Sequence, residues 1–282
     1  MGETAAGRSD GQRWRDLQKR FLSALALGPA TLLCIWIGGA AWMALVVIAS
    51  AILAWEWVRL CGLDNRSIPG ALVPASVLVA IGLSIAGMLR SALAVLLLGG
   101  GLAVLARRMS GEGARPSRLF ALGSLYVGLG SLALLVLRGD DEAGRANTLF
   151  LFMVVWACDI GAYVAGRAFG GPKLAPAISP NKTWSGALGG LGAAVLTGAA
   201  VAQAMAPGGL LLAALLAILL GVASQAGDLA ESAIKRHFGV KDTSGLIPGH
   251  GGLLDRLDGL MAAAPVAALI ALVVGQGHPL WR

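Results

Sequence analysis

Residues 21–55 read FLSALALGPATLLCIWIGGAAWMALVVIASAILAW and contain no charged side chain. This run is much longer than the apolar region of a secretory signal peptide. Because a membrane-spanning helix needs about 20 mainly apolar residues, the run has room for two helices. Gly38-Gly39 near its middle predicts a tight turn between them. The start of the chain therefore indicates a protein that crosses a membrane more than once.

The composition extends this conclusion to the whole chain. Of its 282 residues 57% are hydrophobic and 13% are charged, with a mean hydropathy of +0.76, whereas soluble domains average about 25% charged residues. We predict an all-α polytopic membrane protein, a single bundle of about nine transmembrane helices. They are expected near 21–37, 41–58, 71–89, 91–106, 119–137, 148–168, 184–205, 209–227 and 258–275. The sequence divides into a basic cytoplasmic tail (1–20), N-terminal transmembrane helices (21–145) and a C-terminal catalytic transmembrane region (146–282).

The basic residues predict the orientation. With a cytoplasmic N-terminus and nine crossings, most of the 22 Lys and Arg residues fall on the cytoplasmic side, as the positive-inside rule expects. The exceptions are Arg90, Arg138, Arg145 and Arg282. The C-terminus then lies on the opposite side of the membrane. The net charge of +7 sits in short segments between apolar runs, which indicates contact with membrane lipids rather than nucleic acid. Cys34, Cys61 and Cys158 lack metal-ligand spacing, and we expect reduced core residues.

Two groups of polar residues after position 155 are hard to explain by topology. Asp159 lies inside an apolar helix, where an ionised carboxylate costs roughly 2.5–3.5 kcal/mol on insertion scales. Its alternative explanation is a carboxylate that pairs with a neighbouring basic residue. Ser179-Pro180-Asn181-Lys182-Thr183 precedes the next span and predicts a turn and a helix start. A helix N-terminus beside a lysine suits a phosphate, but a plain N-cap with a topology lysine is the better explanation of this segment taken alone.

The third group, from Ser224 to Asp258, is the most informative. On a helix Asp228, Glu231, Ser232 and Lys235 fall on a single face, and two carboxylates one turn apart suit a hard cation. A polar loop and a glycine turn, Pro248-Gly-His-Gly-Gly252, then open the last helix, whose N-terminus favours an anion. Asp255 and Asp258 are spaced to meet the first carboxylate pair across the bundle. A solvated loop with caps and salt bridges would explain single residues here but not the whole set.

These residues resemble the signature of the phosphatidate cytidylyltransferase family, also called CDP-diacylglycerol synthase. The matching positions are Ser232, Ile234-Lys235-Arg236, Lys241-Asp242, Ser244, Ile247-Pro248, His250-Gly251-Gly252 and Asp255-Arg256-Leu257-Asp258. Upstream segments are also similar, and the specific motifs cover roughly residues 150–265. The resemblance implies transfer of CMP from CTP to phosphatidate, giving CDP-diacylglycerol and pyrophosphate for phospholipid synthesis. It also implies a multi-pass protein of the cell inner (plasma) membrane with its active site on the cytoplasmic face.

The resemblance also implies a role for each candidate residue. We expect Mg2+ as cofactor, with a second cation left open, and a homodimer is also left open. The expected catalytic residues are Asp228, Asp255, Lys235, Arg236, Lys241 and Arg256. The expected substrate-binding residues are Ser179, Lys182, Thr183, Ser232, Asp242, His250, Gly251 and Gly252. The expected metal ligands are Asp159, Asp228, Glu231, Asp255 and Asp258.

Two other functions fit parts of the same pattern. A CTP-dependent kinase of a lipid alcohol would transfer the γ-phosphoryl group and release CDP, but the complete signature favours the cytidylyltransferase. A cation-coupled transporter also places carboxylates inside a helical bundle. Against the transporter, the charged groups gather at one face of the membrane rather than at its midplane, and the two halves show no matched interruptions.

Overall fold

The computed structural model describes residues 27–64, 66–111, 113–246, 251–275 and 277–282. Within these ranges the chain forms a helical bundle and one short hairpin. The helices are α1 (Leu27–Ile37), α2 (Gly39–Leu60), α3 (Ile68–Ile85), α4 (Leu89–Met109), α5 (Ala114–Arg138), α6 (Glu142–Phe169), α7 (Trp184–Met205), α8 (Leu210–His237) and α9 (Leu254–Val274). The predicted tail 1–20 and the start of the first predicted span lie outside the described residues.

The predicted helical membrane architecture is confirmed. Helices α2 to α9 are each long and apolar enough to cross a membrane, and the described part of α1 is a shorter apolar helix. The turn between α1 and α2 lies at Gly38, whose φ of 70° is a left-handed conformation that glycine adopts without a Cβ penalty. Cys61 and Cys158 are buried and free. Burial raises the pKa of the Cys61 thiol to about 12, so this thiol stays protonated and unreactive.

Several predicted helix boundaries differ from the structure, including the start of α6 at Glu142 instead of 148. The break between α3 and α4 falls at residues 86–88, where Gly87 has a φ of 79°, and not at Arg90-Ser91. Helix α8 continues past its predicted apolar span (209–227) to His237, and α9 begins at Leu254, before its predicted span (258–275); both extensions agree with the helical placement predicted for Lys235 and Asp255 from the sequence. In the last two cases a polar stretch follows or precedes the apolar run while the backbone stays helical. The length of the apolar run therefore underestimates the length of helices that carry site residues at their ends.

A β-hairpin joins α6 to α7. Strand β1 (Lys173–Ala175) pairs antiparallel with β2 (Ser179–Thr183), with Lys173 opposite Thr183. The predicted helix start after this segment is confirmed, because the Thr183 hydroxyl accepts a hydrogen bond from the Gly186 amide and caps α7. The sequence predicted a turn here but not the strands.

Glycines bring α6 and α7 close together beside the hairpin. A Cβ on Gly190 would lie 2.7 Å from the Cys158 carbonyl oxygen, and one on Gly161 would lie 2.5 Å from the Ala193 Cβ. Small residues permit such close backbone approach between helices in a membrane. This packing fixes the hairpin next to the α6 segment that carries Asp159.

Contacts between helices show which connections lie together at each end of the bundle. At one end, the Arg138 guanidinium donates to the Ile35 carbonyl oxygen, and Asn147 pairs with the backbone of Leu280 and His278. At the other end, Arg107 at the C-terminus of α4 donates to the Cys61 carbonyl oxygen after α2. The second end also holds the hairpin and the α8–α9 connection, and with them the predicted site residues.

Candidate active site

Lysine 235 links the two helices that carry most of the predicted site. Its Nζ lies 2.6 Å from Glu231 Oε2 on α8 and 2.6 Å from Asp255 Oδ1 on α9. The side chains of Glu231 and Asp255 are 1% and 5% exposed. Because the ammonium group has a carboxylate on each side, it compensates charges that would otherwise be buried without a partner. The structure thus brings together the predicted residues of α8 and α9.

The second oxygen of Asp255 organises the polar loop before α9. Asp255 Oδ2 accepts hydrogen bonds of 2.9 Å from the Thr243 amide, the Thr243 hydroxyl and the Gly252 amide. Both carboxylate oxygens of Asp255 are therefore engaged with donors of the protein. Thr243 had no predicted role, and its contact follows from a loop that folds back onto the helix start.

Lysine 182 attaches the hairpin to α8. Its Nζ lies 2.5 Å from Asp228 Oδ2, and the two side chains are 27% and 36% exposed, so this pair is less buried than the Lys235 pairing. The Ser232 hydroxyl donates to Asp228 Oδ1 at 3.4 Å. Ser179, at the start of β2, lies opposite Ala175 in the hairpin, and the buried Thr183 hydroxyl serves as the cap of α7.

Four carboxylates share one electrostatic environment. Asp258 interacts with the charges of Asp228, Glu231 and Asp159, and Asp159 also interacts with Lys182. Asp258 Oδ1 accepts from the Gly259 amide at 2.7 Å. Like charges repel one another, so bound cations would stabilise this group of carboxylates. Its members come from α6, α8 and α9, as the sequence predicted.

The remaining predicted residues lie at the rim. Arg236, Lys241, Asp242 and Arg256 are exposed, and Arg236 donates to the Val240 carbonyl oxygen at 3.4 Å. Gly251 has a φ of 83° and packs beside Asp242. His250, with residues 247–249, lies outside the described residues. The rim is thus a set of charged side chains around the buried Lys235 pairing.

The acidic cluster offers suitable donor atoms for a divalent cation. Carboxylate oxygens are the ligands that Mg2+ prefers, and Glu231 Oε1 is buried with no hydrogen-bond partner. In the part of the chain that the structure describes, no three acidic, histidine or cysteine side chains converge closely enough to hold one metal ion. Lys235 and Lys182 instead contact three of the carboxylates. The donor chemistry fits a metal, and its binding stays a prediction.

Two residues of the N-terminal half contact this site and were not predicted. The Tyr126 hydroxyl on α5 donates to the Asp258 carbonyl oxygen at 2.8 Å. Glu56 on α2 is fully buried and accepts three hydrogen bonds from the segments that flank the α8–α9 loop. A signal for Glu56 was present in the sequence, because a single carboxylate in an apolar helix is unusual.

Comparison with known proteins gives the family. The sequence model of the Cytidylyltransferase family matches residues 18–274. The chain is 41% identical over 274 residues to a phosphatidate cytidylyltransferase of Brucella suis, an alignment that covers 93% of this chain and 95% of the relative. A phosphatidate cytidylyltransferase of Pseudomonas aeruginosa is 38% identical over 274 residues, with 93% of this chain and 100% of the relative covered. Similarity thus extends well beyond the motifs at 150–265, and the chain belongs to the cytidylyltransferase family.

Proposed function

We propose that the protein transfers CMP from CTP to phosphatidate, giving CDP-diacylglycerol and pyrophosphate. The observation that carries this proposal is the alternation of carboxylates and ammonium groups at one end of the bundle, with Lys235 between Glu231 and Asp255 and Lys182 against Asp228. A site of this composition suits a reaction between two polyanions. The similarity to phosphatidate cytidylyltransferases over most of the chain supports the same reaction.

The chemistry of the reaction needs charge compensation more than a base. A phosphate oxygen of phosphatidate is already anionic, and it attacks the α-phosphorus of CTP. The bond from the α-phosphorus to the bridging oxygen breaks, and pyrophosphate leaves with that oxygen. Positively charged side chains aimed at the phosphates stabilise the charge that develops. Lys182 and Lys235 are the buried or half-buried cations of the site, and Arg236, Lys241 and Arg256 at the rim would meet the triphosphate and the lipid headgroup.

A divalent cation would complete the site. Asp228, Asp258 and Glu231, with Asp159 beside them, would hold Mg2+, and a second cation stays open. When bound, Mg2+ would neutralise the triphosphate and polarise its phosphoryl oxygens. Asp255 was also predicted as a ligand. It stays a candidate ligand, and because its oxygens contact Lys235, Thr243 and Gly252, we propose that it also holds the loop and Lys235 in place.

We also propose that this end of the bundle faces the cytoplasm of the inner membrane. Most of the basic residues lie in the connections and helix ends at the same end of the bundle as the carboxylate cluster, and the positive-inside rule assigns that end to the cytoplasm. CTP would arrive there from water, and phosphatidate from the bilayer. Ser232, Asp242, His250 and the Gly251-Gly252 turn are the remaining candidates for substrate contacts.

The test measures whether the labelled α-phosphate of CTP is transferred to the lipid. Purified protein in detergent is incubated with phosphatidate, Mg2+ and CTP labelled at the α-phosphate, and the lipid is extracted. At a Mg2+ concentration that is just sufficient for the wild type, D228N should not label the lipid, whereas D140N should label it normally, because Asp140 is an exposed residue of the α5–α6 connection at the other end. Label that stays in water contradicts the proposal. Lipid labelled only by γ-labelled CTP, with a lipid alcohol supplied, would identify a kinase instead.

A further inference from the structure

Glutamate 56 is a buried carboxylate that lies far in sequence from every motif residue. Its side chain is fully buried in α2. Oε1 accepts from the Ser244 hydroxyl at 2.5 Å and from the Leu253 amide at 2.9 Å, and Oε2 accepts from the Leu254 amide at 2.6 Å. All three donors belong to the segment that connects α8 to α9 or begins α9.

The position of Glu56 in its own helix is unfavourable. It lies in the last turns of α2, which ends at Leu60, and the negative end of a helix dipole disfavours a carboxylate there. A buried charge without partners is costly as well. The amides of Leu253 and Leu254 offset both costs, because they are the positive end of α9. The Glu56 carboxylate therefore stabilises the start of α9 and does not stabilise α2.

Helix α9 begins without a cap of its own. Leu253 occupies its N-cap position, and an apolar side chain there makes no capping hydrogen bond. The first amides of a helix need acceptors, and Asp, Asn, Ser or Thr usually supply them. Glu56 supplies the acceptors from another helix. The register and direction of the first turn of α9, which carries Asp255, thus depend on α2.

The same carboxylate holds the loop against Asp255. A Cβ on Gly252 would lie 2.8 Å from Glu56 Oε1 and 2.0 Å from Thr243 Oγ1. The Gly252 backbone is therefore confined between Glu56 and the Thr243 hydroxyl that binds Asp255. Glu56 fixes one side of the loop and Asp255 the other. A shift of Glu56 would move the acceptor of Lys235.

We infer that Glu56 is a positioning residue of the nucleotidyl-transfer site, which holds the α8–α9 loop and the first turn of α9 so that Asp255 and Lys235 meet. Glu56 acts through Ser244, Leu253 and Leu254 and does not itself touch substrate. The inference rests on the proposed transfer of CMP. The wild-type protein and a control variant in the same assay report on that transfer independently of Glu56.

The principal variant is E56Q, with S50A as its matched control. Glutamine keeps the size of the side chain and two acceptor contacts, but it turns an amide donor toward the Leu254 amide. Ser50 is also buried on α2, where its hydroxyl bonds to Val46 and Ser131, away from the site. S50A should keep wild-type turnover. For E56Q we expect turnover at saturating substrates to fall about tenfold to a hundredfold, the equivalent of one hydrogen bond to a charged group.

Two further readouts separate positioning from general stability. The KM for CTP should rise as turnover falls, because Lys241 and Arg256, which would meet the triphosphate, lie on the loop and the first turn of α9 that Glu56 holds; a smaller amount of folded protein alone would leave the KM unchanged. Hydrogen exchange in E56Q should accelerate in peptides that cover 251–258 and stay unchanged in α6 and α7. Unchanged turnover, or a loss of turnover with no local change in exchange, would overturn the inference.

A second variant keeps the inference testable if E56Q does not fold. S244A removes one of the three hydrogen bonds and leaves the Glu56 charge paired with the Leu253 and Leu254 amides. Turnover should fall about threefold to tenfold, a neutral donor contributing about 1 kcal/mol. Wild-type turnover in S244A would show that the contact between α2 and the loop has no functional role and would overturn the inference. Loss of lipid labelling in the wild type and in S50A would instead contradict the proposed reaction.

Discussion

Replacement of Lys235 by methionine removes the only ammonium that the structure places between Glu231 and Asp255. Methionine keeps the length of the side chain but leaves two carboxylates, 1% and 5% exposed, without the cation between them. Removing one partner of a buried ion pair costs about 3–5 kcal/mol, because the remaining charge is uncompensated. We expect K235M to lose about that amount of unfolding free energy and to be inactive.

A compensating change separates the structural from the chemical role of Lys235. In K235M/E231Q the carboxylate of Glu231 is replaced by a neutral amide, and only Asp255 stays charged without Lys235. About half of the lost unfolding free energy, ~2 kcal/mol, should therefore return. Activity should not return, since the cation that would meet a phosphate is still missing and Glu231, a proposed Mg2+ ligand, is changed as well. K241M is the control for stability: Lys241 is exposed, and surface substitutions change stability by about 0.5 kcal/mol or less.

The assay is denaturant-induced unfolding in detergent, followed by tryptophan fluorescence, alongside lipid labelling from α-labelled CTP. K235M that unfolds at the wild-type denaturant concentration would refute the structural part of the reasoning. K235M/E231Q that labels lipid at the wild-type rate would refute the assignment of Lys235 to a phosphate.

Two further predictions concern the loop and the metal. G252A should reduce turnover, measured by lipid labelling, at least tenfold. The new Cβ would lie 2.0 Å from Thr243 Oγ1 and must displace this hydroxyl, which donates to Asp255. Wild-type turnover would contradict the close packing of the loop. Removal of divalent cations with EDTA should abolish labelling and Mg2+ should restore it, while D228N should need about tenfold to a hundredfold more Mg2+; an unchanged Mg2+ requirement in D228N would exclude Asp228 as a ligand.

The sequence predicted most of what depends on local periodicity. Apolar runs of about 20 residues mark the spans, and the helical period of 3.6 places Asp228, Glu231 and Lys235 on one face, as the ion pair of Glu231 with Lys235 confirms. The motif spacing also predicted that the charged residues of α8 and α9 meet across the bundle, as the contact of Lys235 with Asp255 confirms. These predictions succeeded because neighbours in sequence decide them.

Other features depend on contacts between distant segments, and the sequence did not predict them. The strands of the hairpin form only because β1 and β2 pair, and the α3–α4 break follows Gly87 rather than the charge of Arg90. Glu56 likewise contacts Ser244, which lies 188 residues further along the chain. No local pattern reports such partners.

The N-terminal helices help to form the site although they carry none of its motif residues. Glu56 on α2 accepts from the first amides of α9, and Tyr126 on α5 donates to the Asp258 carbonyl oxygen. A Cβ on Gly130 of α5 would lie 2.7 Å from the Met261 sulfur, so α5 and α9 are in close contact beyond the site. The position of Asp255 and Asp258 thus depends on α2 and α5 as well as on α8. In the sequence, a boundary at residue 145 separates the half that carries the motifs. In the structure, α9 without the N-terminal half would lose the acceptor for its first turn, Glu56, and its neighbouring helix α5.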